Sequence, residues 1–378
     1  MRHITLDEKD MDILIALNKL GGSASAPEVS EFLLESNGQK IPARTVRYRI
    51  SVLQERGILL PPYLETHERR LGLGEGILVL QESRGRSGHL EELINEIPIF
   101  YWHVPTHGKH DGYLVHIVHD LSMPGMIDRL AETLLESGFI DAYSFFDMAD
   151  YESKSVDFSH YDPEEGWSWN WERWYKKIES HLERNPESPV KVKVSKEIMD
   201  CDYIDIQVLK LLKMDPSRSV RDVASEVGVS TAQVRDRIQR MRESGVIRGQ
   251  KRAYGLADDL LWISCFFEID GPVGGVLTSF SQLPFPGGIL MENPKKYCVR
   301  FGFSTTDLKQ FLEGFKRLRP YMRSYFFQFH LPDRSETTYY DVFDLFDQAK
   351  NQWSIPIDDY VSLIGQRGRS KKAVKMYE

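Results

Sequence analysis

The sequence predicts an α+β chain in which two winged helix-turn-helix units alternate with two ferredoxin-like sheet domains. Three observations predict it. The stretch 219–247, SVRDVASEVGVSTAQVRDRIQRMRESGVI, reads as a helix, a glycine turn and a longer basic helix. The run VRYRISVLQERGIL from Val46 repeats VRDRIQRMRESGVI from Val234, with Arg, Ile, Glu and Gly recurring in register. Behind each copy the apolar pattern gives strand, helix, strand, strand, helix and strand in the same order.

In the second copy, Val220, Val223, Ala224 and Val227 recur at helical spacing and give one apolar face. Gly228 supplies a left-handed residue for a tight turn, and Ser230 is an N-cap for the helix that follows. Val234, Ile238 and Met241 turn inward there. That leaves Arg235, Arg237, Arg240 and Arg242 for the outward side, beside Ser230, Thr231 and Gln233. Gln and Arg at the start of a helix suit base edges, and further Arg along it suits phosphates. With Arg218 ahead of the first helix, these residues are the expected DNA contacts of this unit.

The first unit occupies residues 1–65. Asp7 caps a helix with Ile13, Leu14 and Leu17 inside, Pro27 begins a second, and Val46, Ile50 and Leu53 face inward in a third. Its expected DNA contacts are Arg44, Thr45, Arg47, Tyr48 and Arg49. Extra residues around Asn37–Lys40 lengthen the turn, and Leu60-Pro61-Pro62 stands where a strand into the next domain is usual.

The first sheet domain, 72–151, has strands at 76–82, 100–106, 112–119 and 142–149, and helices at 88–96 and 124–138. It holds His103, His107, His110, His116 and His119. His116 and His119, three apart on a strand, should face opposite ways. The acidic, tryptophan-rich linker 152–195 carries Trp174, Ile178 and Leu182 at helical spacing, which implies packing on a domain or a second subunit. The second winged unit spans 196–256 and the second sheet domain 257–335. A helical extension with a frayed basic tail from Gln366 completes the chain at 336–378.

Composition narrows the chemistry. A net charge of −8 over 378 residues excludes a general nucleic-acid coat, so any basic surface is local. Cys201, Cys265 and Cys298 have neither disulfide nor zinc spacing and suit a reducing cytoplasm. No apolar run reaches the roughly 18 residues of a membrane span. No nucleophile motif, phosphate-binding glycine loop or metal signature is present, so no catalytic residue, cofactor or metal is expected. A hairpin bringing His103, His107 and His116 together is the one arrangement that would hold a metal.

The Asp-x-x-Asp opening at Asp202 and Asp205, the ESGVIR ending and the β-α-β-β-α-β unit together resemble the Lrp/AsnC family. The second half, from Asp202 to about His330, resembles a full-length member, and the first half resembles one more loosely. The whole chain is similar to a tandem, fused protein of the kind expected in archaea. The resemblance implies a transcription regulator that binds double-stranded DNA. It also implies sheet domains that pair, either with each other inside one chain or across the homodimer expected from their exposed faces, and in some members a small-molecule effector. The segment GGILMENPKKY is short for an effector loop. Siroheme decarboxylases resemble the same family, and that reading would place His and Arg in a tetrapyrrole cleft. The second sheet supplies only His330 for it.

Overall fold

The computed structural model describes residues 6–85, 88–154, 156–162, 165–188, 197–255, 260–331 and 339–374. Asp7 starts α1 (Glu8–Leu20) in a reciprocal capping box with Asp10. Ser25 and Glu28 form the same box at α2 (Ala26–Asn37), with Pro27 in its first turn. Gly38 ends α2 in the left-handed conformation, and residues 38–42 lead into α3 (Ala43–Glu55). Ile13, Leu17, Val29, Leu33, Val46 and Leu53 form the core between these helices. The wing β1 (Leu59–Thr66) follows, so Leu60-Pro61-Pro62 lies within a strand rather than replacing one. The prolines fit because β1 has a single neighbouring strand and its register slips between Leu59 and Pro62.

The first sheet unit comprises β2 (Leu73–Glu82), α4 (His89–Glu96), β3 (Trp102–Gly108), β4 (Gly112–Asp120), α5 (Met126–Glu136) and β5 (Ile140–Met148), the expected order. β6 (Asp150–Lys154) begins after one further residue. A two-rung ladder of β7 (Tyr161–Asp162) and β8 (Gly166–Trp167) precedes α6 (Trp171–Arg184). Trp174 of α6 is fully buried, and its indole N–H donates to the Ser279 carbonyl at 2.8 Å. Gly314 makes room for it, since a Cβ there would stand 2.0 Å from the indole. The tryptophan-rich linker therefore packs into the second sheet domain.

The second repeat runs α7 (Tyr203–Met214), α8 (Val220–Val227), α9 (Thr231–Glu243) and the wing β9 (Ile247–Tyr254). Its sheet unit is β10 (Leu261–Ile269), α10 (Val273–Ser281), β11 (Gly287–Asn293), β12 (Lys296–Phe303), α11 (Leu308–Leu318) and β13 (Met322–His330). β14 (Phe346–Asp347) then pairs with β15 (Gln352–Trp353), and α12 (Ile357–Val374) packs on α5. The basic segment from Gln366 continues that helix to Val374 instead of fraying.

Two sheets join the halves. The strand order is β5-β2-β4-β3-β13-β10-β12-β11-β6 in one sheet. Its two end strands, β5 and β6, are separated in sequence by Ala149 alone, whose amide donates to the Met291 carbonyl at 2.7 Å. The sheet must therefore curve back on itself, with Ile77, Val79, Leu114, Phe146, Phe266 and Leu290 clustered inside. Of the two arrangements the sequence leaves open, the two sheet units take the internal one, joined edge to edge within the chain. The second junction is the antiparallel ribbon of β1 and β9. Val46 and Val234 are repeat counterparts 188 positions apart, and the directly opposed residues Tyr63 and Lys251 are the same 188 apart. The register is reciprocal, with Leu59 opposite Tyr254 and Thr66 opposite Ile247. A local two-fold axis thus passes between Tyr63 and Lys251, and the chain has the symmetry of a dimer.

Candidate DNA interface and interior cavity

The third helix of each unit, α3 and α9, carries the pattern Val-Arg-x-Arg-Ile, and the structure separates its two arginines. Arg47 and Arg235 are exposed. Arg49 and Arg237 are drawn back onto the acidic caps of the first helix of each unit. Arg49 Nη1 lies 2.7 Å from both Asp7 and Asp10, and Arg237 Nη1 lies 2.7 Å from Asp202 and 2.8 Å from Asp205. The side chain of Asp205 is fully buried, so its charge requires this partner. Arg240, half exposed, also pairs with Asp205. The sequence places Arg49, Arg237 and Arg240 on the DNA side, and their charges are instead wholly or partly spent within the fold. Arg218 is likewise held by Glu226 at 2.5 Å.

Capping claims two more of the expected contacts. Ser230 Oγ accepts from the Gln233 amide, and Gln233 Oε1 accepts from the Ser230 amide at 2.9 Å. A bidentate contact to adenine needs that same amide oxygen, so the capped Gln233 cannot make one. Thr45 and Thr231 are half-buried at the helix starts. What remains open on α3 is Arg44, Arg47 and Tyr48, and on α9 Arg235, Asp236, Gln239 and Arg242. Among the described residues, Arg44, Arg47, Arg235 and Arg242 have no carboxylate at ion-pair distance.

Beneath the wing ribbon lies a cavity of about 600 Å³, walled by β1, β9, β6 and the inner faces of the closed sheet. The repeat explains it. Trp102 pairs with His116 on the first sheet as Gly288 pairs with Arg300 on the second, so an indole on one side is matched by bare backbone on the other. His116 and Arg300 meet across the interior. Arg300 Nη2 donates to His116 Nε2 at 2.8 Å, which leaves the proton on Nδ1, 3.2 Å from the Tyr101 hydroxyl. Tyr101 donates to Glu75 Oε1 at 3.1 Å. Glu75 bonds to Glu68, which pairs with Lys213 of α7 at 2.7 Å. Burial, reinforced by the charge of Glu68, raises the Glu75 carboxyl well above the carboxylate range. On the other side Arg300 Nε donates to Ser264 Oγ at 3.3 Å, and Ser264 lies 2.9 Å from His330 Nε2. Burial, helped by Arg300, drops His116 well below its ordinary value and takes His330 to about 3. A hydrogen-bonded chain therefore runs from the second helix-turn-helix unit into the cavity.

The remaining histidines disperse. His119 faces the outer layer, 3.4 Å from Asp147, on the side opposite His116 as expected. That hydrogen bond and one from Arg69 hold the Asp147 carboxyl at about 2, against the burial that would raise it. His103 is buried 3.5 Å from Glu91, and His107 is exposed near the end of β3, 3.2 Å from Asp111. His103, His107 and His116 do not converge, and no group of three potential ligands that could hold a metal occurs among the described residues. His330, which has no histidine neighbour in the second sheet, shares the cluster of His116. Sequence reading missed Arg300, Tyr101 and Trp102. The exchange of Tyr101-Trp102 for Gly287-Gly288 between repeats was the signal available.

Residues 202–242 match the AsnC-type helix-turn-helix domain. The HTH-type transcriptional regulator Ptr1 of Methanocaldococcus jannaschii is 38% identical over 48 residues, 13% of this chain. That match spans about a third of the relative's own length, 32%. Among solved structures, the siroheme decarboxylase NirDL aligns over 89% of this chain and 97% of its own, with a TM-score of 0.50 and 12% identity. Its co-complex with an iron-uroporphyrin III analogue aligns over 88% and 94%, at a TM-score of 0.50 and 11% identity. At that identity the likeness is one of fold, and it extends over both repeats. No helix among the described residues is long and apolar enough to cross a membrane.

Two outcomes follow from this geometry. Arg237→Ala leaves buried Asp205 with half-exposed Arg240 as its one ion-pair partner among the described residues, and should cost on the order of 3 kcal/mol in urea unfolding. A cost below about 0.5 kcal/mol, the range of an ordinary surface change, would show the clasp to be incidental. The second outcome concerns pH. His330 resists protonation in the folded chain, so its contribution is complete above the unfolded value near 6.5 and is lost as pH falls toward about 3. Each such histidine should add about 1.4 kcal/mol of lost stability per pH unit in that window. Unfolding at pH 7 and pH 5 should show a shallower acid loss in His330→Gln, and equal losses would contradict the assignment.

Proposed function

We propose that the chain is a DNA-binding transcription regulator of Lrp/AsnC type that supplies two different DNA-reading units from one polypeptide. The observation that carries this reading is the division of arginines on α3 and α9. One of each pair is consumed by a structural clasp, while Arg47 and Arg235 are left open together with Arg44 and Arg242. The match of residues 202–242 supports it. The local two-fold axis relates the two units as a dimer would relate two half-sites, so a site of two halves a whole number of turns apart is expected. The halves differ chemically. Tyr48 can donate to a phosphate, whereas Asp236 at the matching position repels one and can only accept from a base edge. The preferred site is therefore asymmetric. Since sheet pairing is satisfied internally, a single chain suffices for one site, and a homodimer would carry four units.

A second reading is an enzyme on the same tandem fold, acting on a tetrapyrrole as a siroheme decarboxylase does. The cavity favours it, because Tyr101 and His116 form a ready proton relay beside Arg300. Release of carbon dioxide from siroheme under anaerobic conditions would establish it.

The regulator reading is tested by replacing Arg47 and Arg235 together with Ala. Each phosphate that the variant no longer neutralises should flatten the slope of log affinity against log salt by about 0.9. Duplex binding should weaken by roughly tenfold or more, with an unchanged melting temperature. Wild-type affinity and salt slope in the double variant would refute it.

A further inference from the structure

A second hollow, of about 520 Å³, opens at the other end of the closed sheet, where β10 contributes Phe266 instead of Trp262. Here too the repeats differ. Val79 pairs with Ser144 in the first unit as Phe266 pairs with Phe326 in the second. One wall therefore carries two rings, and the other a small aliphatic side chain and a half-exposed hydroxyl. Lys109 spans the gap, its ammonium 2.9 Å from Ser144 Oγ and 4.6 Å from the centre of the Phe326 ring.

The turn between β3 and β4 delivers two basic side chains to that hydroxyl. Gly108 lets the turn lie against β13, since a Cβ there would stand 2.1 Å from the Phe327 carbonyl oxygen. Gln328 of β13, fully buried, then clamps the turn. Its Oε1 accepts from the His110 amide at 3.3 Å, and its Nε2 donates to the His110 carbonyl at 2.8 Å and to Thr106 Oγ1 at 2.9 Å. So held, the buried His110 brings Nε2 to 2.9 Å from Ser144 Oγ. An ammonium only donates, so the Lys109 contact leaves the serine its own proton for Nε2, and the imidazole carries its proton on Nδ1. Burial, with the Lys109 charge beside it, holds His110 below its ordinary value against the pull of Asp111. The ring is therefore a base at neutral pH. A hydroxyl set between a neutral imidazole and an ammonium is an activated nucleophile. Ser264 lies equally near His330 Nε2, at 2.9 Å, but Ser264 is fully buried.

We propose that Ser144 is a catalytic nucleophile that hydrolyses small esters of aromatic acids, with His110 as general base and Lys109 stabilising the charge that develops on the attacked carbonyl. This activity goes beyond the DNA-binding reading and does not depend on it. Ser144 Oγ bonds to the ester carbonyl carbon while its proton passes to His110 Nε2. Collapse of the tetrahedral adduct breaks the bond to the alcohol oxygen, which leaves with that proton. Water then attacks the acyl-serine and gives a proton to His110 Nε2, and the departing serine oxygen takes it back. The rings of Phe146, Phe266, Phe326 and Tyr325 offer the acyl group an apolar wall, and the volume is that of a small-molecule site.

Two reagents test this on the full chain. The first is 4-nitrophenyl benzoate, whose cleavage releases a coloured phenolate. The second is phenylmethylsulfonyl fluoride, which captures activated serines covalently. Phenolate release should saturate with ester concentration, and mass spectrometry should find the sulfonyl group on Ser144 and not on Ser264. Ser144→Ala should remove that adduct and slow release at least about tenfold while keeping the melting temperature, since the side chain is half-exposed. His110→Gln should slow both reactions on the order of a hundredfold, the usual weight of a general base. Release that does not saturate, adducts confined to other residues, or a Ser144→Ala protein as fast as the wild type would overturn the proposal.

Discussion

The antiparallel pairing of β1 with β9 is the constraint on which the rest of the structure depends. A lone wing strand leaves its backbone donors and acceptors unpaired, and each wing here completes the other. Because Tyr63 opposes its own repeat counterpart Lys251, the ribbon places the two helix-turn-helix units about one axis. The same relation brings the two sheet units edge to edge, β3 against β13 and β6 against β11. Arg248 of β9 reinforces the arrangement by pairing with Asp150 and donating to the Tyr151 carbonyl at 2.9 Å. Closure of the sheet then leaves an interior whose two walls descend from one pattern but have diverged. The cavity exists because an indole and a glycine occupy matching places.

Carrying both sheet units in one chain makes that divergence possible. In a dimer of identical chains every residue on the axis meets itself, so His116 would face His116. Here it faces Arg300, and the pair forms a directional donor–acceptor chain that no symmetric interface could hold. The same freedom appears on the recognition helices, where Tyr48 and Asp236 occupy matching positions. In both places the shared geometry of the repeat carries unlike chemistry.

Much of this was legible in the sequence. The β-α-β-β-α-β order of both halves could be read because strands such as GILVLQE and helices such as LKQFLEGFKRL carry clean periods of two and 3.6. The burial of Trp174 with Ile178 followed from their spacing. The wing at Leu60-Pro61-Pro62 was not legible, because proline excludes a central strand but not a two-stranded ribbon with a register slip. The outward arginines were misjudged for a different reason. Helical periodicity tells which side of α9 leaves the core, yet it does not say that Asp205, buried on a neighbouring helix, will take Arg237. The cavity was hidden because its parts, Tyr101, His116, Arg252 and Arg300, come from four distant segments that only the closed sheet and paired wings assemble.

The pairing of the wings within one chain can be tested by covalent trapping. Tyr63→Cys with Lys251→Cys places two thiols on directly opposed residues of an antiparallel pair, the separation a disulfide spans. The native Cys201, Cys265 and Cys298 are buried and do not compete. Mild oxidation of dilute protein should give an intramolecular disulfide, with a monomer that migrates faster under denaturing, non-reducing conditions and reverts on reduction. Cross-links that join two chains, or thiols that stay free, would contradict the single-chain two-fold arrangement on which this account rests.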